Sequence, residues 1–179
     1  AGWLELPELE ITLEANPGTL EAGRFAEFRA TGINRLSLGV QSFADAQLTR
    51  LGRIHDGAQA RRAIDSARAA GFDNFNLDLM HGLPEQSLKD ALADLESALS
   101  FEPPHLSWYQ LTIEPNTVFY SKPPPLPSES ILTSVQDAGH ALLAARDLEQ
   151  YEVSAYARGS SLQSRHNFNY WQFGDYLGI

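Results

Sequence analysis

An α/β fold on a parallel sheet is predicted by three features of the 179-residue sequence. Short apolar runs of strand length recur, segments with helical spacing separate them, and turn residues close each run. The first run is Leu9 to Glu14, ended by Asn16-Pro17-Gly18. Thr19 to Thr31 follows as a helix with Leu20, Phe25 and Phe28 near one face, stopped by Gly32. The second run is Arg35 to Val40. Ala58 to Ala70, rich in alanine and arginine, is the next helix and stops at Gly71. The third run, Phe75 to Met80, is closed by Gly82-Leu83-Pro84. Ser87-Leu88-Lys89-Asp90 has the form of a capping box, and Leu88, Leu92, Leu95 and Leu99 follow at helical spacing. The fourth run is Leu106 to Ile113, ended by Glu114-Pro115. Strand–helix–strand units repeated in this way call for parallel strands and right-handed crossovers. The pattern is compatible with an open doubly wound sheet or with a barrel.

After Ser121 the character changes. Pro123 to Pro127 is a stiff, extended connector. A helix is expected from about Ser128 to Asp147, with Ile131, Val135, Ala138 and Leu142 on one face. A further strand is expected over Tyr151 to Tyr156, leading into an aromatic tail from Phe168 to Leu177. Neither end carries a start or stop signal, so the chain is expected to be one piece of a longer one.

Composition narrows the function. A net charge of −10 argues against nucleic acid, because neutralising phosphates needs a basic face. No apolar stretch is long enough to span a membrane and no secretory leader is visible, which makes the cytoplasm the expected location. The absence of cysteine excludes disulfides, thiolate zinc sites and a cysteine-ligated cluster held by these residues. The five histidines are too scattered for a helical metal motif.

Polar residues mark the C-terminal ends of the predicted strands: Glu14 with Asn16, Gln41 with Ser42, Asp78, and Gln110 with Thr112. In parallel α/β folds that edge is where ligands bind. Carboxylates and amides there accept from an ammonium group or from ribose hydroxyls. Each of these residues could also simply cap a turn, as Asn16-Pro17-Gly18 does well on its own. Four strands ending alike favour a polar small-molecule site.

The segments Glu14-Ala15-Asn16-Pro17, Asn34 to Phe43, Leu51-Gly52-Arg53, Asn76 to Pro84 and His166 to Trp171 together resemble the radical S-adenosylmethionine family that includes oxygen-independent coproporphyrinogen III oxidase. They resemble most closely its HemW branch of haem chaperones, in order and spacing, essentially from end to end. The resemblance implies a partial parallel β/α barrel supplying the later strands over residues 1–121. Residues 122–179 would then form a barrel-closing helix, a strand and the start of a C-terminal region. It also implies that Glu14, Gln41, Arg53 and Asp78 contact S-adenosylmethionine, with Thr112 offering backbone to the adenine. A carboxylate suits the methionine ammonium, an arginine its carboxylate, and Asp or Gln the ribose hydroxyls.

The family's three-cysteine [4Fe-4S] motif and its glycine-rich motif would both precede Ala1, so the chain alone is expected to be inactive. Ser164 stands where many HemW-like sequences carry a cysteine, which weakens thiolate ligation of haem. His166 becomes the candidate axial haem ligand, with Phe168, Tyr170 and Trp171 available to a porphyrin face. Packing as a corner that closes the barrel is an equally fair reading of that segment. His81 is a weaker ligand candidate. Haem or porphyrin, and a protein that accepts haem, are the implied partners, with oxidative decarboxylation of coproporphyrinogen III as the alternative activity. A sheet edge exposed by the absent strands is expected to promote oligomers.

Overall fold

The computed structural model describes residues 9–18 and 24–177. Four parallel strands form its centre: β1 (Thr12–Ala15), β2 (Arg35–Gln41), β3 (Phe75–His81) and β4 (His105–Gln110). Between them run α1 (Phe25–Ala30), α2 (Asp45–Arg50), α3 (Gly57–Ala69) and α4 (Leu88–Leu99). Beyond β4 come α5 (Val118–Ser121), α6 (Glu129–Ala144), β5 (Glu149–Gln150), β6 (Ala155–Ala157) and α7 (Arg165–Trp171). The sheet order is β1-β2-β3-β4-β6-β5. The start of the first predicted helix, with Leu20, lies outside the described residues, and its observed part opens at Phe25. Helix α2 was not foreseen, because a run of six residues carries too little periodicity to register.

One prediction needs correcting. The strand expected over Tyr151 to Tyr156 is a hairpin, in which β5 pairs antiparallel with β6 and β6 antiparallel with β4. Local bonds bend the chain: Ser154 N–H donates to Glu152 Oε1 at 3.0 Å and Gln150 Nε2 to the Val153 carbonyl at 2.9 Å. Val153 consequently points outward, 69% exposed.

The sheet has two unlike faces. Leu36, Leu38 and Val40, then Phe75, Leu77 and Leu79, then Leu106 and Trp108, alternate onto one face and are all buried. There they meet Phe25 of α1, Ala60, Ile64 and Ala67 of α3, Leu95 and Leu99 of α4, and Val135 and Leu143 of α6. Each large aliphatic side chain fully buried here contributes roughly 1.5–3 kcal/mol. Gly139 lets α6 lie directly on the Trp108 indole, since a Cβ at that position would collide with the ring. Helices α3 and α4 start where the sequence caps them. Asp56 with Gln59 and Ser87 with Asp90 form reciprocal capping boxes at α3 and α4.

The second face carries Thr12 and Glu14, Arg35 and Ser37, Asn76 and Asp78, and His105, Ser107 and Tyr109. A parallel sheet covered on both faces reads as continuous apolar runs. Strict alternation in parallel strands therefore marks a sheet whose inner face lines a polar lumen. Among the described residues no helix is long and apolar enough to cross a membrane.

Candidate functional site

The inner face bounds a cavity of about 1010 Å³, closed at one end by Ser164, Arg165, His166 and Asn167 at the start of α7. Register places its side chains in layers. Thr12 is level with Arg35, and Glu14 with Ser37; Asn76 is level with His105, and Asp78 with Ser107. The strand starts thus supply a floor of two layers, Thr12 with Arg35 and then Glu14, Ser37, Asn76 and His105, with Asp78 and Ser107 in the layer above.

A hydrogen-bond chain ties the layers together. Asn76 Nδ2 donates to Asp78 Oδ1 at 2.7 Å and to Ser37 Oγ at 2.8 Å, and Ser37 Oγ donates to Asp78 Oδ2 at 3.0 Å. Asn76 Oδ1 accepts from Ser107 Oγ at 3.1 Å and from His105 Nδ1 at 2.7 Å. An amide oxygen only accepts, so His105 carries its proton on Nδ1. Its Nε2 then accepts from the Tyr151 hydroxyl at 2.6 Å, and that oxygen accepts from the Ser164 N–H at 3.1 Å. Burial, followed by the nearby Arg35 charge, pushes the His105 imidazole down to about 3, so it is neutral. Burial raises the Asp78 carboxyl above its ordinary range despite donors from Ser37, Asn76 and Ser107, and the Glu14 charge adds to the rise.

Gln41 ends β2 in a strained turn. Its φ is +66°, and Ser42 N–H reaches back to the Val40 carbonyl at 2.8 Å, a γ-turn with positive φ. Three partners hold this turn. Tyr109 OH donates to Gln41 Oε1 at 2.7 Å, and His55 Nε2 donates to the Val40 carbonyl at 3.0 Å. Asp94 of α4 accepts from Ser42 Oγ at 2.6 Å and from the Phe43 N–H at 2.7 Å. Gly39 leaves room for the neighbouring amides, since a Cβ there would sit 2.9 Å from Asn16 Oδ1 and 3.2 Å from Gln41 Nε2.

The residues singled out from the sequence fall into two adjoining spaces. Glu14, Asp78 and His166 line the large cavity, and buried Gln41 reaches it through Tyr109. Arg53 and Thr112, both exposed, line a smaller cavity of about 390 Å³ with Met80, which lies two residues beyond Asp78 on the same face of β3. Electrostatics join the two spaces, because the Tyr109 hydroxyl, raised chiefly by burial, responds to both Asp78 and Arg53. His166 is exposed and edge-on to Tyr170, with ring centroids 4.9 Å apart. Phe168, Tyr170, Trp171, Phe173 and Tyr176 beside it are also exposed. His81 falls elsewhere: its ring lies tilted against Trp108, centroids 4.2 Å apart, on the helix-covered face, and burial with nearby His140 lowers it to about 4.

Sequence reasoning looked at strand ends and missed the inner-face residues Arg35, Ser37, Asn76, His105 and Ser107. The alternation of polar and apolar residues along β2, β3 and β4 was the available signal. Among the described residues no group of His, Asp and Glu is arranged to hold a metal ion, and a sequence without cysteine offers no thiolate to an iron–sulfur cluster.

Known proteins resemble this chain in sequence and in fold. The chain is 57% identical over 172 residues to the heme chaperone HemW of Escherichia coli, and 56% identical over 171 residues to that of Haemophilus influenzae. These alignments cover 96% of this chain but 45% and 44% of those proteins, so the chain spans less than half their length. It is 41% identical over 174 residues to the mouse radical S-adenosyl methionine domain-containing protein 1, mitochondrial, covering 95% of this chain and 39% of that protein. Among solved structures, coproporphyrinogen III oxidase (HemN) from Escherichia coli, a radical SAM enzyme, superposes with a TM-score of 0.75 at 29% identity. That match covers 83% of this chain and 35% of the enzyme. Residues 3–98 match the radical SAM superfamily, more than half of the chain, and the chain belongs to it.

Proposed function

We propose that these residues are part of a haem chaperone of the radical SAM fold, which binds S-adenosylmethionine on the inner sheet face and haem beside α7. The observation that carries this reading is 57% identity to a heme chaperone across 96% of the chain. The polar lumen and the exposed aromatic segment beside it supply the chemistry. Residues 1–121 are the partial barrel, and residues 122–179 close it.

In this reading Glu14 accepts from the methionine ammonium and Arg53 pairs with the methionine carboxylate. Gln41 and Asp78 take the ribose hydroxyls, and the Thr112 backbone meets the adenine. Asp78 arrives pre-oriented by Ser37 and Asn76, so little side-chain freedom is lost on binding. The strained turn at Gln41 serves the same end. Any [4Fe-4S] cluster is held by residues outside these 179, which contain no cysteine. His166 supplies an imidazole to haem iron, with Tyr170 and Trp171 offering ring faces to the porphyrin. Haem passes from this surface to an accepting protein.

Structural likeness to HemN favours a second reading, oxidation of coproporphyrinogen III by the longer protein. Haem titration of the full-length protein and its His166→Ala variant separates the two. The chaperone reading expects haem binding that weakens at least tenfold in the variant, with no turnover of coproporphyrinogen III anaerobically. Turnover without haem binding would establish the enzyme instead.

A further inference from the structure

Arg35 is unexplained by the cofactor assignment. It opens β2 at the floor of the lumen and is only 4% exposed, and its Nε is buried without a hydrogen-bond partner. Among the described residues the ion pairs are Arg24–Glu27 and Arg50–Glu85, both at the surface, so no carboxylate of the described residues sits within ion-pair reach of the Arg35 guanidinium. Glu10, Asp78 and Glu14 influence it only at longer range, and the Glu10 carboxylate is engaged by the Arg165 N–H at 3.1 Å. A buried cation without a counterion is costly, and a protein keeps one where a partner arrives from outside.

We propose that Arg35 is the carboxylate-recognition residue of the lumen floor, taking an organic acid group of the molecule held beside α7. Resting on the haem reading, that group is a porphyrin propionate. The layering of charge suits this assignment. Glu14, level with Ser37, lies one layer above Arg35, about 7 Å at strand rise, and Asp78, level with Ser107, lies a layer further. The Arg35 fork matches a carboxylate bidentately. His166, the iron-ligand candidate, lines the same cavity, so one molecule can meet both residues.

The test uses the full-length protein, its Arg35→Met and Arg35→Lys variants, and three probes: haem, haem dimethyl ester and sodium propionate. Haem is expected to bind wild-type protein at least tenfold more tightly than its dimethyl ester. Arg35→Met should erase that preference by weakening haem alone, and Arg35→Lys should restore part of it. Propionate should raise the melting temperature of wild-type protein and leave that of Arg35→Met unmoved. Equal losses for haem and ester in Arg35→Met, or no loss for either, would overturn the assignment. So would an Arg35→Met variant that melts well below wild type without ligand, since Arg35 would then be paired with a carboxylate of the protein itself. If wild-type protein binds no haem, the chaperone reading falls and the propionate arm decides: a shift that depends on Arg35 keeps the anion subsite, and no shift removes it.

Discussion

Acidification from pH 7 to pH 5 is expected to destabilise the fold through two buried histidines. His105 is held down to about 3 and His81 to about 4, against an ordinary value of 6.5 for both. Both are almost fully buried, His105 at the lumen floor and His81 against Trp108. Between pH 7 and pH 5 the unfolded chain takes up protons that the native state refuses. Their contribution is therefore complete above the unfolded value and declines as pH falls through it. At pH 5 each histidine carries a penalty of about 2 kcal/mol, or about 4 kcal/mol together, by proton linkage. The carboxyls of Asp78 and Asp94 work in the opposite sense, because burial raises them and their native forms gain protons first on acidification. About 4 kcal/mol is thus the ceiling, still a large part of the roughly 5–15 kcal/mol that holds a domain together. Urea unfolding followed by tryptophan fluorescence at the two pH values measures it. His105→Gln should remove about half of the pH dependence. A midpoint unchanged between pH 7 and pH 5, or a dependence undiminished in both His105→Gln and His81→Gln, would refute the assignment of neutral buried imidazoles.

Two further substitutions probe the same inner face. Asn76→Leu leaves Ser37, Asp78, His105 and Ser107 each short of a partner. It should cost about 2–4 kcal/mol in urea unfolding, the scale of stranding several buried polar groups, and a cost under about 1 kcal/mol would mean the chain of bonds is not cooperative. Gly39→Ala places a methyl against the Asn16 and Gln41 amides. Calorimetry on the full-length variant should show S-adenosylmethionine bound at least tenfold more weakly, with the melting temperature little changed; wild-type affinity would place the ligand away from Gln41.

Much of the architecture is legible in the sequence, because it rests on local chemistry. Ser87-Leu88-Lys89-Asp90 folds into the capping box its spacing announces, and the runs at Arg35, Phe75 and Leu106 are parallel strands. Tyr151 to Tyr156 misleads because its residue types suit a strand, while the bend depends on the reach of Glu152 and Gln150 to nearby backbone. The lumen floor is harder to see for a different reason. Ser37, Asn76 and His105 lie about 30 or 40 residues apart, and only strand register makes them neighbours. The alternation Arg35-Ser37 and Asn76-Asp78 is visible in the letters, but which face the helices cover is a property of the assembled sheet. Arg53 and Thr112 were expected beside Glu14 and Asp78, yet they line the adjoining smaller cavity. Sequence order gives the strand ends but not the height of each side chain along the lumen.

The inner sheet face as the seat of S-adenosylmethionine is tested most directly by Glu14→Gln, because Glu14 is exposed in the cavity and its loss should leave the fold intact. Isothermal titration of S-adenosylmethionine into the full-length protein should show at least tenfold weaker binding for Glu14→Gln, with an unchanged melting temperature, and a further loss when Asp78→Asn is added. Wild-type affinity in the double variant would contradict a nucleotide held on this face.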